Sequence, residues 1–414
     1  MIMNVLKELK DRGILKQISN EEKFNQLKPS EVAVYAGFDP TAKSLHLGNY
    51  IIMATLKRFQ IAGFKTYAMV GGATGMIGDP SFRDSERILL DNSQVNENKN
   101  KIKLQLSKIG LDVIDNYEIY KDMNILTFLR DVGKLVNISY MLAKDSVSSR
   151  INRGLSFTEF AYTLLQGNDF LNLYTNDNIR VQIGGSDQWG NITTGLDMIS
   201  TVFGDANAKA VGITLNLLTD ENGNKIGKST GGGALWLDKT MSSPYNMYQY
   251  LVTQGDFVTE KMLYWFTFLK IEEIAKIIEK HSQNPAKQYA QQRLAYEVVK
   301  DIFGEEDAQI SKNIASILYS KDFDATQLNV SDIELMQPYL KVVQVHKNAN
   351  LIEELIGNKI LNSKREAREF IQTQALRVDG EAVTESYNFN PKFYQGKFAI
   401  LKKGKKQAIL LKTI

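Results

Sequence analysis

EVAVYAGFDPTAKSLHLGNYIIMATLKRFQIAGFKTYAMVGG, residues 31–72, decides the fold class. EVAVYAGF has the branched and aromatic content of a strand, YIIMATLKRFQIAG places apolar residues at helical spacing, and KTYAMVGG is strand-like again. The stretch therefore reads strand, turn, helix, strand, with the helix starting at the SLHLGN turn, Ser44–Asn49. RVQIGGSDQWGNITTGLDMISTVF, residues 180–203, repeats the strand, glycine-rich turn and helix. Two such units in one domain favour an α/β fold with a doubly wound parallel sheet, whose ligands sit at the carboxyl ends of the strands. Both glycine-rich turns fall at such ends.

The chain has 414 residues, 43% hydrophobic and 23% charged, which allows two or three domains with substantial cores and excludes a disordered or fibrous class. A formal charge of +3 is too small for a global field to attract nucleic acid, so any RNA contact needs a local patch. Such a patch lies at the C-terminus, where no acidic residue follows Glu385 while Lys392, Lys397, Lys402, Lys403, Lys405, Lys406 and Lys412 do. The absence of cysteine excludes disulfides and thiolate chemistry, and three scattered histidines, His46, His281 and His346, argue against a zinc site. No run of about 18 apolar residues predicts a membrane span. The N-terminus, with Val5, Leu6, Leu9 and Ile14 among charges of both signs, fits an amphipathic helix better than a targeting peptide, and a cytoplasmic protein is expected.

The expected organisation is a parallel-sheet domain over residues 1–235, a helical domain over 236–325, a polar linker at 326–345 and a small α+β module over 346–414. Residues 95–180 read as mostly helical, with Ser156 and Glu159 forming a capping box before FTEFAYTLLQGNDFLNLY. The final module reads as the helix SKREAREFIQ, a strand pair turning at Asp379-Gly380 and a hairpin turning at Lys403-Gly404-Lys405.

Five constellations carry chemistry, and each has a plainer reading. In the SLHLGN turn, His46 either caps the following helix or, with Thr41, donates to a phosphate seated at the helix N-terminus. ENGNKIGKSTGGG, residues 221–233, is a solvated loop or a mobile one that brings Lys225 and Lys228 onto a polyphosphate. GGATGMIGDPS, residues 71–81, matches neither GxGxxG nor the P-loop, and Asp79 at its end is a cap or a ligand contact. Tyr162, Gln166 and Asp169 share one stripe of a helix among apolar neighbours, as an interior hydrogen-bond cluster or the wall of a polar pocket. In GGSDQWGN, residues 184–191, Asp187 suits a ribose hydroxyl or a turn.

HLGN at 46–49 and KIGKS at 225–229, with YAGFDPTAKSLHLGN, GGATGMIGDPS, SFTEFAYTLLQGNDF and GGSDQWGN, resemble the class I aminoacyl-tRNA synthetases, most closely the bacterial-type tyrosyl enzymes. The resemblance covers essentially the whole chain, because the module from residue 346 looks like an S4-type RNA-binding domain. It implies a Rossmann-like catalytic domain, L-tyrosine, ATP and tRNA(Tyr) as partners, Mg2+ carried with ATP, no tightly bound cofactor or resident metal, and a homodimer with residues from about 125 to 165 as its interface. No DNA or membrane partner is implied. The substrate phenol would lie between Tyr35 and Asp169, and its α-amino group would meet Tyr162, Gln166 and Asp79. Asp187 would meet the ribose and Gln188 the reacting carboxylate. Thr41, His46, Lys225 and Lys228 would stabilise departing pyrophosphate, helped by Arg83 and Arg87, while Gly37 and Gly48 would allow close approach of ATP. Asp39 and Ser229 join the ATP-binding set, and Asn49 stands where the family has a second histidine. Lys364, Arg365, Arg368, Lys402, Lys403, Lys405 and Lys406 would contact tRNA. A site built to hydrogen-bond a hydroxyl rejects the analogue that lacks it, and the tyrosyl enzymes are the standard instance of that rule. The rival readings are a tryptophanyl enzyme, a small-molecule adenylyltransferase and a synthetase-derived RNA-binding regulator; Tyr35 with Asp169 argues for a phenol.

Overall fold

The computed structural model describes residues 4–81, 90–144, 147–148, 151, 154–219, 235–318, 325–404 and 407–414. The chain forms two compact units, Met1–Asp238 with Lys261–Ile274, and Lys239–Glu260 with Ala275–Ile414.

The first unit is built on six strands: β1 (Leu15–Ile18), β2 (Ala33–Phe38), β3 (Lys65–Val70), β4 (Asp112–Asp115), β5 (Ile179–Gly185) and β6 (Val211–Leu215). Their order is β1-β6-β5-β2-β3-β4. β2 to β6 are parallel, and β1 joins β6 antiparallel. The chain runs outward from β2 through β3 to β4, then returns to lay β5 against the other side of β2. That reversal opens a crevice at the carboxyl ends of β2 and β5, the place such sheets hold ligands. Val34, Ala36, Val181, Val211 and Ile213 are fully buried, as expected of strands covered on both faces.

Local sequence explains the elements that frame this crevice. The helix Leu47–Ile61 buries Leu47, Tyr50, Met53, Ala54, Leu56 and Phe59, and ends before Gly63, whose φ of +92° favours glycine. The helix Phe157–Asn176 starts at Ser156, whose hydroxyl accepts from the Glu159 N–H at 3.2 Å. It crosses the helix Trp189–Phe203 closely: a Cβ on Gly195 would stand 3.0 Å from Phe170. The N-terminal helix is confined to Val5–Asp11, because Gly13 at φ +66° turns the chain into β1. Residues 95–180 are mostly helical, as read, with β4 lying among the helices and pairing with β3.

In the second unit the helices Pro244–Val252, Tyr289–Phe303 and Glu305–Leu318 are followed by a sheet of β7 (Lys341–Val345), β8 (Leu376–Val378), β9 (Glu381–Ala382), β10 (Phe398–Lys403) and β11 (Gln407–Thr413), in the order β7-β11-β10-β8-β9. The hairpin of β10 and β11 runs from Phe398↔Lys412 to Lys403↔Gln407. Asp379 and Gly380 both have positive φ, the requirement of the tight turn that joins β8 to β9. Residues 326–345, expected as a polar linker, hold the helix Val330–Met336 and β7. The stretch carries apolar residues along its whole length, and Ile333, Met336 and Leu340 enter one core with Tyr245, Ile314, Phe398, Ile400 and Leu410. Among the described residues no helix is long and apolar enough to cross a membrane.

Candidate active site

A cleft of about 340 Å³ opens at the carboxyl ends of β2 and β5, and among its walls are Tyr35, Gly37, Asp39, Thr41, His46, Gly48, Asn49, Asp79, Tyr162, Gln166, Asp169, Asp187 and Gln188. Residues read from four separate stretches of sequence thus meet in one place. Arg83, Arg87, Lys225, Lys228, Ser229, Lys405 and Lys406 lie outside the described residues.

At the mouth, His46 is the N-cap of the helix Leu47–Ile61, and its Nδ1 accepts the Gly48 N–H at 3.0 Å. The His46 N–H donates in turn to Asn49 Oδ1 at 3.1 Å, completing a reciprocal capping box. Both readings of the turn are therefore compatible: with Nδ1 occupied as an acceptor, a neutral ring carries its proton on Nε2, which leaves that atom as the donor. Gly48 is required for this geometry, since a Cβ there would stand 2.8 Å from the imidazole. Around Gly37, by contrast, no atom of the described residues other than its chain neighbours lies within 4 Å of where a Cβ would stand. Leu45–Leu47 is bridged to the chain just beyond residue 234, with Leu47 N–H to Leu235 O at 2.9 Å and Leu237 N–H to Leu45 O at 2.8 Å.

The middle of the cleft is lined by carboxylates. The Tyr162 hydroxyl donates to Asp39 Oδ2 at 2.9 Å, and Asp39 Oδ1 accepts from Thr74 at 2.8 Å. Gly71 makes this possible, because a Cβ there would collide with both partners, at 2.2 and 2.3 Å. Asp79 accepts from Gln188 Nε2 at 2.7 Å and from the Ser81 N–H at 2.9 Å. Gln188 Oε1 is held by Asn191 at 3.1 Å. Such a grouping suits a cationic amine.

The floor is a buried polar cluster. Asp169 is 2% exposed, and burial pushes its carboxyl up to about 7 against the pull of two donors, Asn116 Nδ2 at 2.9 Å and the Tyr120 hydroxyl at 2.7 Å. Tyr35 is 1% exposed, and its hydroxyl has no hydrogen-bond partner among the described residues. Burial, reinforced by the Asp169 charge, holds that hydroxyl proton well above the ordinary tyrosine range. The Gln182 side-chain oxygen Oε1, from a neighbouring strand, is likewise buried without a partner among the described residues. Both side chains line the cleft, so a polar group of a ligand there could pair with these open atoms.

Residues 27–320 match the family described as tRNA synthetases class I (W and Y), and residues 332–411 match the tyrosine--tRNA ligase SYY-like C-terminal domain. The tyrosine--tRNA ligase of Mycoplasmopsis agalactiae is 59% identical over 412 residues, covering 100% of each chain. The chain belongs to the tyrosine--tRNA ligase family. The ligase of Mycoplasmopsis synoviae is 53% identical over 99% of both chains. Among solved structures, a C-terminally truncated mitochondrial tyrosyl-tRNA synthetase from Aspergillus nidulans superposes with a TM-score of 0.69 at 32% identity, covering 76% of this chain and 94% of that one. A tryptophanyl-tRNA synthetase from Encephalitozoon cuniculi, 11% identical with a TM-score of 0.53 over 76% of this chain and 88% of that one, shares the fold alone.

Asn116, Thr74 and Gln182 also line this cleft, with Tyr120 bonded behind them to Asp169, and none of the four was legible as a site residue. Asn116 and Tyr120 follow β4 directly, so reading that strand would have placed Asn116 at a carboxyl end. In the C-terminal module, Lys364, Arg365 and Arg368 have exposed side chains, each within salt-bridge distance of an acid: Glu353 at 2.6 Å, Glu369 at 3.4 Å and Glu385 at 3.1 Å. Lys403 is engaged internally, with Glu366 at 2.7 Å, the Ile360 carbonyl at 2.8 Å and the Phe370 ring. Lys402 is half-buried, and burial together with its cross-strand neighbour Arg377 lowers its affinity for a proton.

Proposed function

We propose that this cleft joins L-tyrosine to ATP and passes the tyrosyl group to tRNA(Tyr). The observation that carries the reading is the Tyr35–Asp169 floor, a buried hydroxyl and carboxyl around a space that a phenolic hydroxyl would complete. The phenol donates to Asp169 and accepts from Tyr35, while Tyr162, Gln166, Asp79 and Asp39 surround the ammonium group. A tyrosine carboxylate oxygen attacks the α-phosphorus, the bond to the bridging oxygen of pyrophosphate breaks, and tyrosyl-adenylate forms. The 3′-terminal ribose hydroxyl of tRNA then attacks the tyrosyl carbonyl, AMP leaves, and the hydroxyl proton passes to solvent or phosphate. No protein nucleophile takes part; the chain supplies orientation and charge stabilisation.

In this reading His46 Nε2 and Thr41 donate to phosphate oxygens as charge builds toward pyrophosphate, joined by Lys225, Lys228, Arg83 and Arg87. Asp187 meets the ribose, Gln188 the reacting carboxylate, and Gly37 and Gly48 allow close approach of ATP. Asn49 acts through His46, by the capping bond that fixes its backbone. Magnesium enters with the triphosphate. Residues 236–325 and 346–414 serve tRNA, with Lys364, Arg365, Arg368 and Lys402 as the phosphate-facing set of the last module. A homodimer is supported by exposed Ile125, Leu126, Ile138 and Phe157, 65%, 75%, 66% and 70% accessible, in the stretch expected at an interface. Leu126→Asp should convert it to monomers in sedimentation; a wild-type monomer would refute the assembly.

Amino-acid-dependent ATP–pyrophosphate exchange across the twenty amino acids tests the whole reading. Exchange with tyrosine is expected. Exchange with tryptophan alone, or with none, would overturn it.

A further inference from the structure

Tyr120 stands behind the cleft. Asn116 and Asp169 line the cavity, and Tyr120 is not among its lining residues. Its ring meets Phe128 edge-on at 6.4 Å, and its hydroxyl points to the far side of Asp169. Among the described residues each carboxyl oxygen of Asp169 has one donor: Oδ2 receives Asn116 Nδ2 at 2.9 Å, and Oδ1 receives the Tyr120 hydroxyl at 2.7 Å. Asn116 is locked from three sides, since Nδ2 also reaches Thr74 Oγ1 at 3.1 Å and Oδ1 accepts the Ala73 N–H at 2.8 Å. Tyr120 is held less rigidly. Its oxygen accepts from Asn168 Nδ2 at 3.2 Å, and its single proton has two acceptors in reach, Asp169 Oδ1 and the Leu165 carbonyl at 2.8 Å.

One proton between two acceptors lets the hydroxyl follow the state of the carboxyl. When Asp169 is charged, the donation goes to Oδ1, where a charge-assisted bond is about twice as strong as a neutral one. When Asp169 is protonated, the Tyr120 proton turns to Leu165 O. The bond to Asp169 thus exists chiefly in the state that accepts a phenolic proton.

We propose that Tyr120 is the positioning residue for recognition of the substrate hydroxyl: it orients the Asp169 carboxylate without touching the substrate and so sets the margin between tyrosine and phenylalanine. This rests on reading the cleft as a tyrosine pocket, which the exchange spectrum of the wild-type protein tests separately. The titratable and polar groups facing Asp169 are Tyr35 from β2, Asp39 from the turn after β2, Asn116 and Tyr120 from the turn after β4, and Tyr162 from its own helix. Of these, Tyr120 can be stripped of its hydroxyl while its ring packing remains.

The test is Tyr120→Phe in the full-length protein, with ATP–pyrophosphate exchange measured for tyrosine and for phenylalanine across pH. The KM for tyrosine should rise on the order of tenfold with kcat nearly unchanged, and phenylalanine kinetics should not move. Because a donor to the charged form is lost, the acid limb of kcat/KM for tyrosine should shift to higher pH. Equal losses with both amino acids, or an unmoved KM and acid limb, would overturn the proposal. If that variant does not fold, Asn168→Ala, which frees the Tyr120 oxygen, should shift the same two tyrosine readouts by a smaller factor; parallel losses for tyrosine and phenylalanine there also overturn it.

Discussion

Replacing Tyr35 by phenylalanine separates recognition from stability at a single atom. The hydroxyl is buried and without a hydrogen-bond partner among the described residues, and a polar group in that state costs the folded protein about 1–3 kcal/mol. The ring itself packs against Phe170 at 5.5 Å between centroids, an arrangement the variant keeps. Ligand-free Tyr35→Phe should therefore be more stable by about 1 kcal/mol, a rise of roughly 2–4 °C in melting temperature. With tyrosine bound the sign reverses, because the substrate's phenolic oxygen loses a donor. One neutral hydrogen bond of about 0.5–1.5 kcal/mol corresponds to a KM for tyrosine roughly three- to tenfold higher. Phenylalanine, with no hydroxyl to pair, should be used as well as before or better. Thermal unfolding without ligand and pyrophosphate exchange with both amino acids measure the two halves. A lower melting temperature, or an unchanged tyrosine-to-phenylalanine ratio, refutes the reasoning.

Asp169, raised by burial to about 7, holds a proton in the folded state over a range where the unfolded chain, near 3.9, has lost it. Stability from this group is full below about pH 4 and lost as pH rises toward 7, so Asp169→Asn should flatten that part of the melting curve; parallel curves contradict the assignment. His46→Ala should cost about 1 kcal/mol through the missing cap and slow adenylate formation on the order of a hundredfold, with little change in tyrosine binding. His46→Asn keeps cap chemistry, so it should restore stability but not rate, and a normal rate in that variant removes the imidazole from the chemistry. Reversing Lys364, Arg365 and Arg368 to glutamate should raise KM for tRNA and flatten its salt dependence by about one log–log unit for every phosphate left unpaired, with pyrophosphate exchange intact. Loss of exchange as well would refute the division of labour.

The turn at Ser44–Asn49 and the stripe of Tyr162, Gln166 and Asp169 were legible because each is local: a cap acts within three residues, and a helix stripe follows from the period. The KIGKS stretch left a solvated loop and a polyphosphate-binding one both open until the resemblance was drawn, and it lies outside the described residues. Residues 326–345 misled for a physical reason. Their apolar residues, Ile333, Met336 and Leu340 among them, follow no sustained helical or alternating period, and a core contributed by distant elements settles a short helix and a strand there. Asn49 differs again: it stands where the family has a second histidine, and its side-chain oxygen accepts the His46 backbone N–H.

The sequence by itself determined the strand–turn–helix units, hence a parallel sheet with its glycine-rich turns at one edge, and the residue types of the proposed phenol-recognising, nucleotide-activating site. Tertiary structure decided the partnerships. Asp39, from the turn after β2, takes the Tyr162 hydroxyl, and Asn116 with Tyr120, after β4, takes Asp169. No spacing in the chain specifies those pairs, because they depend on the strand order that folds β5 back beside β2 and on how deeply each carboxyl is removed from water.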